Sequence, residues 1–550
     1  MTRPQARVGL LFFASLLLLT GLFARSFWLQ GVNGSALASD AAGQQQEIIQ
    51  VPGLRGEIKD RSGRPLAGSE PGVAVFATPY QVTDPAEQAE AVAGALGADP
   101  TGVLDSLTAE GGFSYVERKV DLVRAEAVAR LGYEAIGQHP DTIRTRPQGS
   151  LAAQVVGAVS PEGDGLTGLE SEYESVLRGV DGERRIVQDA TQSPISFETI
   201  RDPRDGRSIQ LTLDAAIQAE AERVMDEVGQ ANDPVNASMV VLDADDADVL
   251  AMANWPALDL ENLEEADEES LRNITTSYTY EPGSTFKAFT VAAALEEGTV
   301  TPSSAFTLAP SYTLYDRTVE EAHPRGTVTL SVGEILAQSS NVGAITIGMG
   351  VGSRKFSNWI DRFGFGKPTG VEFPGEEQGI VPAYEDWSGT TMINLPIGQG
   401  LSVTPIQMAS AYAALAGDGT LRRPRMVRSV AGREVPIDKG RQVISPGTAY
   451  EVRSMLEGVL GAGGTASEVE VPGYSAAGKT GTAQIAEGGG YSETRYVASF
   501  VGMAPVEDPE IVVAVMVNEP KYGNAGGQVA APAFGQIAEF ALPYLGVPTG

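Results

Sequence analysis

"GYSAAGKT", residues 473–480, satisfies the written pattern Gly-x-x-x-x-Gly-Lys-Thr of a phosphate-binding loop. "MVVLDA", residues 239–244, offers the apolar run ending in Asp that would hold Mg²⁺ beside such a loop. That chemistry needs a buried strand before the loop and a helix after it, with the glycines wrapping phosphate at the helix N-terminus. Here "SEVEVPGY" (467–474) is charged and broken by Pro472, and "TGTAQIA" (480–486) reads as strand or turn. "MVVLDADDADVLAMAN" (239–254) predicts a hairpin around an acidic turn, and it precedes the loop, the wrong order for a nucleotide site. The lysine therefore belongs to a different reading, Lys479-Thr480-Gly481.

That reading has companions upstream. "EPGSTFKAFTVAAALEEG" (281–298) contains Ser284-x-x-Lys287 before an Ala-rich helical run. Pro282 and Gly283 halt any earlier element, so Ser284 falls at the helix start and Lys287 one turn on, on the same face. A desolvated lysine near other cations can be neutral near pH 7 and serve as the base for a serine. "LAQSSNVGAITIG" (336–348) supplies Ser339-x-Asn341 on a helix-like stretch. Ser-x-x-Lys, Ser-x-Asn and Lys-Thr-Gly in that order are the signature set of penicillin-binding proteins and serine β-lactamases.

Each residue type has a chemical reason. Ser284 is the expected acylated nucleophile, with its own backbone N–H aimed at the oxyanion. Thr482 would give the second oxyanion N–H from a strand edge, and Gly481 would let substrate backbone come close. Ser339 can relay a proton to the leaving amine, while Asn341 orients Lys287 and a substrate amide. Lys479, expected to be partly exposed in a strand-edge groove, forms with the Thr480 and Thr482 hydroxyls a site for a carboxylate.

Beyond these motifs the chain resembles the class B penicillin-binding proteins. "RGEIKDRSGRPLA" (55–67) and "GLTGLESEYESVLRGVDG" (165–182) are similar to the family's non-catalytic pedestal. "LRNITTSYTYEPGSTFK", "SSNVG", "PIGQGLSVTPIQMASAYAALAGDG", "GKTGTAQ" and "GGQVAAPAFGQI" resemble its transpeptidase domain. "RTRPQG" (144–149) departs from the family, which usually has an aromatic before the Pro, so Arg146 puts a pedestal contact in doubt. The resemblance implies an α+β architecture: a transmembrane helix, a mixed α/β pedestal, then a transpeptidase domain with an antiparallel sheet flanked by helices. It implies peptidoglycan D,D-transpeptidation through an acyl-serine, with acylation by β-lactams and no cofactor or metal. "SSNVG" with "EAHPRGTVTLSVGEILAQ" (321–338) looks division-type (FtsI-like), the alternatives being an elongation-type enzyme or a penicillin-binding sensor or scaffold. Implied partners are peptidoglycan stem peptides, the lipid-linked precursor, an FtsW-type glycosyltransferase and other divisome proteins. Polymerisation is expected to be a partner's work.

Composition agrees with an extracytoplasmic, membrane-anchored enzyme. The net charge of −32 excludes a nucleic-acid partner, because phosphates must be met by clustered Lys and Arg. No Cys is present, and His139 and His323 are the two histidines, so thiolate chemistry and a His-rich metal site are out of reach. His323 is expected to be a hydrogen-bonding loop residue. Arg3 and Arg7 precede an apolar run from Val8 to Leu29 broken by Arg25, the length of a single membrane span with its N-terminus cytoplasmic. "ALAS" (36–39) would suit signal cleavage but lies too far beyond the apolar run. The expected layout is a cytoplasmic tail 1–7, anchor 8–29, stalk 30–50, pedestal 51–205 and transpeptidase domain 206–550. "PGEEQG" (374–379) reads as a turn, and no Glu-x-x-Leu-Asn pattern of a lactamase follows Ser339. A β-lactamase is thus the weaker rival, and a D,D-carboxypeptidase is separated only by its acceptor.

Overall fold

The structure, a computed structural model, describes residues 3–33, 46–188, 194–260, 262–487 and 490–550. Most of the expected stalk and the "ALAS" stretch lie outside these residues. Helix α1 (Arg3–Phe27) continues into a π-helical turn, Trp28–Val32. Its segment Gln5–Val32 is long and apolar enough to cross a membrane, and Arg25 sits in its last turn.

The chain forms two compact units, and the cut is not a single point. One unit takes residues 1–54, 70–143 and 179–206; the other takes 55–69, 144–178 and 207–550. Sequence alone places one boundary near 206, but the motif 55–67 and residues 165–178 of the motif 165–182 pack inside the larger unit. Their physical link is a buried ion network. Arg55 Nε donates to Glu170 Oε2 at 2.6 Å, and Arg144 Nε donates to Glu170 Oε1 at 2.8 Å. Glu170 is fully buried, and Arg55 also pairs with Glu174 at 2.6 Å. Arg146, the departure from the family pattern, donates to the Gly157 carbonyl.

The smaller unit has its own apolar core. Val92, Ala93 and Leu96 from the helix Pro85–Leu96 meet Val75, Val103, Leu107, Val120 and Val128. The helix is set by Asp84 accepting from Glu87 N, by Pro85 at its first position, and by left-handed Gly97 at its end. A separate three-stranded antiparallel sheet joins Gln46–Val51, Gly182–Gln188 and Pro194–Arg201.

The larger unit is built on an antiparallel sheet of five strands: β1 (Asn236–Asp243), β2 (Val249–Trp255), β3 (Ala477–Glu487), β4 (Gly490–Ala504) and β5 (Ile511–Asn518). Their order is β2-β1-β5-β4-β3, which leaves β3 at an edge. β1 and β2 are the expected hairpin, with Asp243 accepting from Asp245 N and Asp246 N in its acidic turn. Every residue of β5 is buried, which requires helices on both faces of the sheet. Asp214 caps α2 (Ala215–Asn232) as its position predicts, accepting from Ala216 N and Ile217 N. α2 packs with the C-terminal α6 (Ala531–Tyr544), whose Phe534 ring lies 5.1 Å from Phe500 of β4.

Three further helices of this unit bear on the site. These are α3 (Lys287–Glu296), α4 (Asn341–Val351) and α5 (Pro405–Ala416). All twelve residues of α5 are buried, as suits a helix apolar all round, and Thr404 with Gln407 forms its capping box. The Tyr412 hydroxyl on α5 donates to the Thr285 carbonyl at 2.7 Å, tying this core helix to the turn that opens α3. Phe286, Phe289, Phe363, Phe365 and Tyr412 pack ring against ring beneath that turn.

Candidate active site

Ser284 sits in a single 3-10 turn, Gly283–Phe286, which runs directly into α3 at Lys287. Gly283 has φ of +53°, a conformation that favours glycine, and its N–H donates to the Gly398 carbonyl at 3.0 Å. A Cβ on Gly398 would stand 2.1 Å from the Gly283 oxygen, so the close approach demands glycine there too.

Lys287 is fully buried, and its amine is held by three oxygens. Nζ donates to the Ser339 carbonyl at 2.6 Å, to Asn341 Oδ1 at 2.7 Å and to Ser339 Oγ at 3.2 Å. Burial pushes its pKa down to about 7; Glu321 opposes that fall and Arg325 adds to it. Ser339 and Ser340 of the Ser-x-Asn motif lie in the turn before α4, and Asn341 is that helix's first residue. Ser339 has φ of +56°, an uncommon value for a residue with a side chain, and Ser340 caps α4 by accepting from Gly343 N. The turn is what lets the Ser339 carbonyl and hydroxyl both face one amine.

What holds the turn was missed in the sequence. Glu321 Oε2 accepts from Asn341 N at 2.8 Å, and Glu321 Oε1 accepts from the Ser340 hydroxyl at 2.7 Å. Arg325 donates to Glu321 Oε1 at 2.6 Å and to Ser340 Oγ at 2.8 Å. Asn341 Nδ2 donates to the Glu320 carbonyl at 2.9 Å. The stretch "EEAHPR" therefore clips the motif from outside, and no spacing rule could pair it with residues 15 to 21 positions on. His323 lines the cavity and makes no side-chain hydrogen bond among the described residues, so it is not the loop hydrogen-bonder expected.

Lys479-Thr480-Gly481 lies on edge strand β3, with Lys479 opposite Val501 and Thr480 opposite Phe500. One expectation needs correction here. Lys479 is fully buried, not partly exposed, and burial together with nearby Lys287 pushes its pKa well down. Its Nζ donates to the Thr480 carbonyl at 3.2 Å and stands 3.4 Å from Thr480 Oγ1, so it lies behind the threonine. The space at Gly481 is also taken by the protein itself. A Cβ there would lie 2.3 Å from Ser499 Oγ, 2.9 Å from the Pro282 carbonyl and 3.0 Å from Thr285 Cγ2. Gly481 lets the Ser284 turn seat against the strand.

Thr482 is exposed, and its hydroxyl accepts from Gly526 N at 3.2 Å. Its carbonyl faces Gly283, and in a strand a residue's N–H and C=O share one side, so its N–H points to the same open edge as the Ser284 turn. Thr465, also unforeseen, bonds Thr480 hydroxyl to hydroxyl at 2.7 Å. Ser284, Ser339, Asn341, Thr480 and Thr482 all line one cavity of about 670 Å³, with Lys287 and Lys479 buried in its walls. Among the described residues no group of three acidic or histidine side chains is placed to hold a metal.

A serine one helical turn from a buried amine, facing an open strand edge, can carry out acyl transfer. A sequence profile of the penicillin-binding protein transpeptidase domain matches residues 237–539, and one of the penicillin-binding protein dimerisation domain matches residues 50–211. The chain belongs to the penicillin-binding protein transpeptidase family. Among this family's members it is 32% identical over 568 residues to PbpB of Mycolicibacterium smegmatis, covering 95% of this chain and 88% of that one. It is 32% identical over 543 residues to the peptidoglycan D,D-transpeptidase FtsI of Escherichia coli, covering 96% and 90%. The crystal structure of penicillin binding protein 3 from Mycobacterium tuberculosis, complexed with aztreonam, superposes with a TM-score of 0.72 at 31% identity, covering 91% of this chain and 98% of that one.

Proposed function

We propose that the chain is a membrane-anchored, division-type peptidoglycan D,D-transpeptidase that works through an acyl-serine and is acylated by β-lactams. The observation that carries this reading is the buried Lys287 amine, held at 2.6–3.2 Å by Ser339 and Asn341 beside a cavity that Ser284 lines.

In the proposed reaction neutral Lys287 takes the Ser284 proton as Oγ attacks the penultimate D-Ala carbonyl of a donor stem. The Ser284 and Thr482 N–H groups receive the oxyanion. The bond to the terminal D-Ala breaks, and Ser339 relays a proton to that leaving amine. An amine on a second stem then attacks the acyl-serine, loses its proton to the same Ser339–Lys287 pair, and frees Ser284. Thr480 and Thr482, with Lys479 behind them, hold the terminal carboxylate of the donor or the ring carboxylate of a β-lactam.

Residues 51–205 serve as the non-catalytic pedestal and 206–550 as the transpeptidase domain in this reading. Arg3 and Arg7, ahead of the apolar run of α1, favour a cytoplasmic N-terminus and an extracytoplasmic catalytic unit. Substrate is the lipid-linked precursor's polymer, supplied by an FtsW-type glycosyltransferase among other divisome membrane proteins.

Mass spectrometry after exposure to labelled penicillin tests the assignment. One adduct should form on Ser284, persist for minutes or longer, and vanish in Ser284→Ala. Rapid, repeated release of hydrolysed penicillin would make the protein a lactamase. Product analysis with and without an amine acceptor separates transpeptidation from carboxypeptidation.

A further inference from the structure

The cavity around Ser284 contains a cation that the chemistry above leaves unused. Arg317 opens the short strand Arg317–Glu320, paired with Ser311–Leu314, and its side chain lines the cavity with Ser284 and Asn341. Its guanidinium lies over the Tyr491 ring at 5.8 Å. Among the described residues no carboxylate oxygen comes within 4.0 Å of it, and its Nε is buried without a hydrogen-bond partner. Glu281 feels the Arg317 charge from beyond ion-pair distance: its Oε1 accepts from Gly400 N at 2.9 Å and from the Tyr491 hydroxyl at 3.3 Å, and its Oε2 is buried without a hydrogen-bond partner.

A guanidinium with spare donors beside the nucleophile is unusual in a chain of net charge −32, where acids to pair with are abundant. Its planar fork suits a carboxylate in two-point contact. Lys479 and the Thr480–Thr482 edge already provide for the terminal carboxylate. Arg317 reaches the same cavity from a different wall, the hairpin 311–320, next to the Ser339–Asn341 turn.

We propose that Arg317 is a specificity-determining residue that binds a second carboxylate of the substrate, one carried by the peptide stem upstream of its D-Ala–D-Ala end. The assignment rests on the transpeptidase reading and adds the substrate's charge pattern to it. A stem whose corresponding carboxylate is amidated leaves the Arg317 fork without its partner.

The test uses two soluble peptides ending in D-Ala–D-Ala that differ only by carboxylate or carboxamide at the preceding stem residues. The full-length protein and Arg317→Gln are compared on both by kcat/KM, with penicillin titration confirming a folded site in each. The wild type should favour the carboxylate peptide by about ten- to a hundredfold, the worth of a charge-assisted hydrogen bond. Arg317→Gln should lose that preference, mostly through KM, and Arg317→Lys should restore part of it. A wild type that turns over both peptides alike, or a glutamine variant that keeps the preference, overturns the assignment of Arg317 alone. A wild type that turns over neither peptide overturns the transpeptidase reading beneath it.

Discussion

Lys287 Nζ lies 2.7 Å from Asn341 Oδ1, so an amine at the start of α3 and an amide at the start of α4 are locked together across 54 residues. Because Asn341 Oδ1 and the Ser339 carbonyl are both acceptors, the lysine's N–H groups are spent on them and its remaining electron pair, once the proton is lost, is free for the serine. Burial moves that loss to about pH 7. β-Lactam acylation should therefore rise as pH climbs through this region and level off above it, since the neutral base is the form that accumulates above its pKa. Stopped-flow acylation from pH 5.5 to 9 checks this, and Lys287→Met should lower the plateau by about 10²–10⁴-fold. A flat profile would remove Lys287 from the base role.

Glu321 should act through Lys287 without touching substrate. It counters the fall in the lysine's pKa, while Arg325 deepens it. Glu321→Gln removes the opposing charge and leaves Arg325 unpaired, and both changes favour the neutral amine. The acid limb of the acylation profile should shift to lower pH. Loss of the charged bonds to Asn341 N and Ser340 should also cost about 1–3 kcal/mol of stability, read by denaturant unfolding. A purely structural Glu321 would lower stability and leave the limb where it is.

Lys479 is buried with no carboxylate partner among the described residues, an arrangement that costs free energy until a ligand arrives. Lys479→Met keeps the volume and removes the burdened amine. Its melting temperature should equal or exceed that of the parent, while acylation by a carboxylate-bearing penicillin falls by more than about tenfold. A large drop in melting temperature would show the amine to be a structural tie.

Gly481→Ala should disable the enzyme by sterics alone. The new methyl would meet Ser499 Oγ at 2.3 Å and the Pro282 carbonyl at 2.9 Å, which pushes the Ser284 turn off the edge strand. Acylation should fall by at least about a hundredfold, since displacements near 1 Å in a reacting geometry have that effect. A crystal structure of the variant should show the turn displaced; parental acylation would contradict the packing described.

Glu170 is the most consequential charge outside the cavity. It is fully buried between Arg55 and Arg144, so Glu170→Ala leaves Arg144 without its anion and Arg55 with Glu174 alone. A loss of about 3–5 kcal/mol is expected, measurable by thermal unfolding of the protein.

The motifs Ser284-x-x-Lys287, Ser339-x-Asn341 and Lys479-Thr480-Gly481 were legible because each is a local device. A 3-10 turn opening a helix, a capped inter-helix turn and an edge strand are set by neighbouring residues. The anchor, the β1–β2 hairpin and the capped α2 were legible for the same reason, through apolar length, alternation and a capping Asp. The clip from Glu321 and Arg325, the tie from Thr465, and the unpaired Arg317 were not. Each depends on a hairpin or loop folding back over the site, and neither periodicity nor spacing encodes which distant backbone a side chain will meet. The same is true of burial. The sequence alone determined that a lysine would follow the nucleophile and another would lie on a strand. Only the tertiary structure decided that both are sealed from water, and that sealing is what lowers their affinity for protons: it suits Lys287 to a base's role, and it leaves Lys479 a buried amine whose charge only an incoming anion would favour.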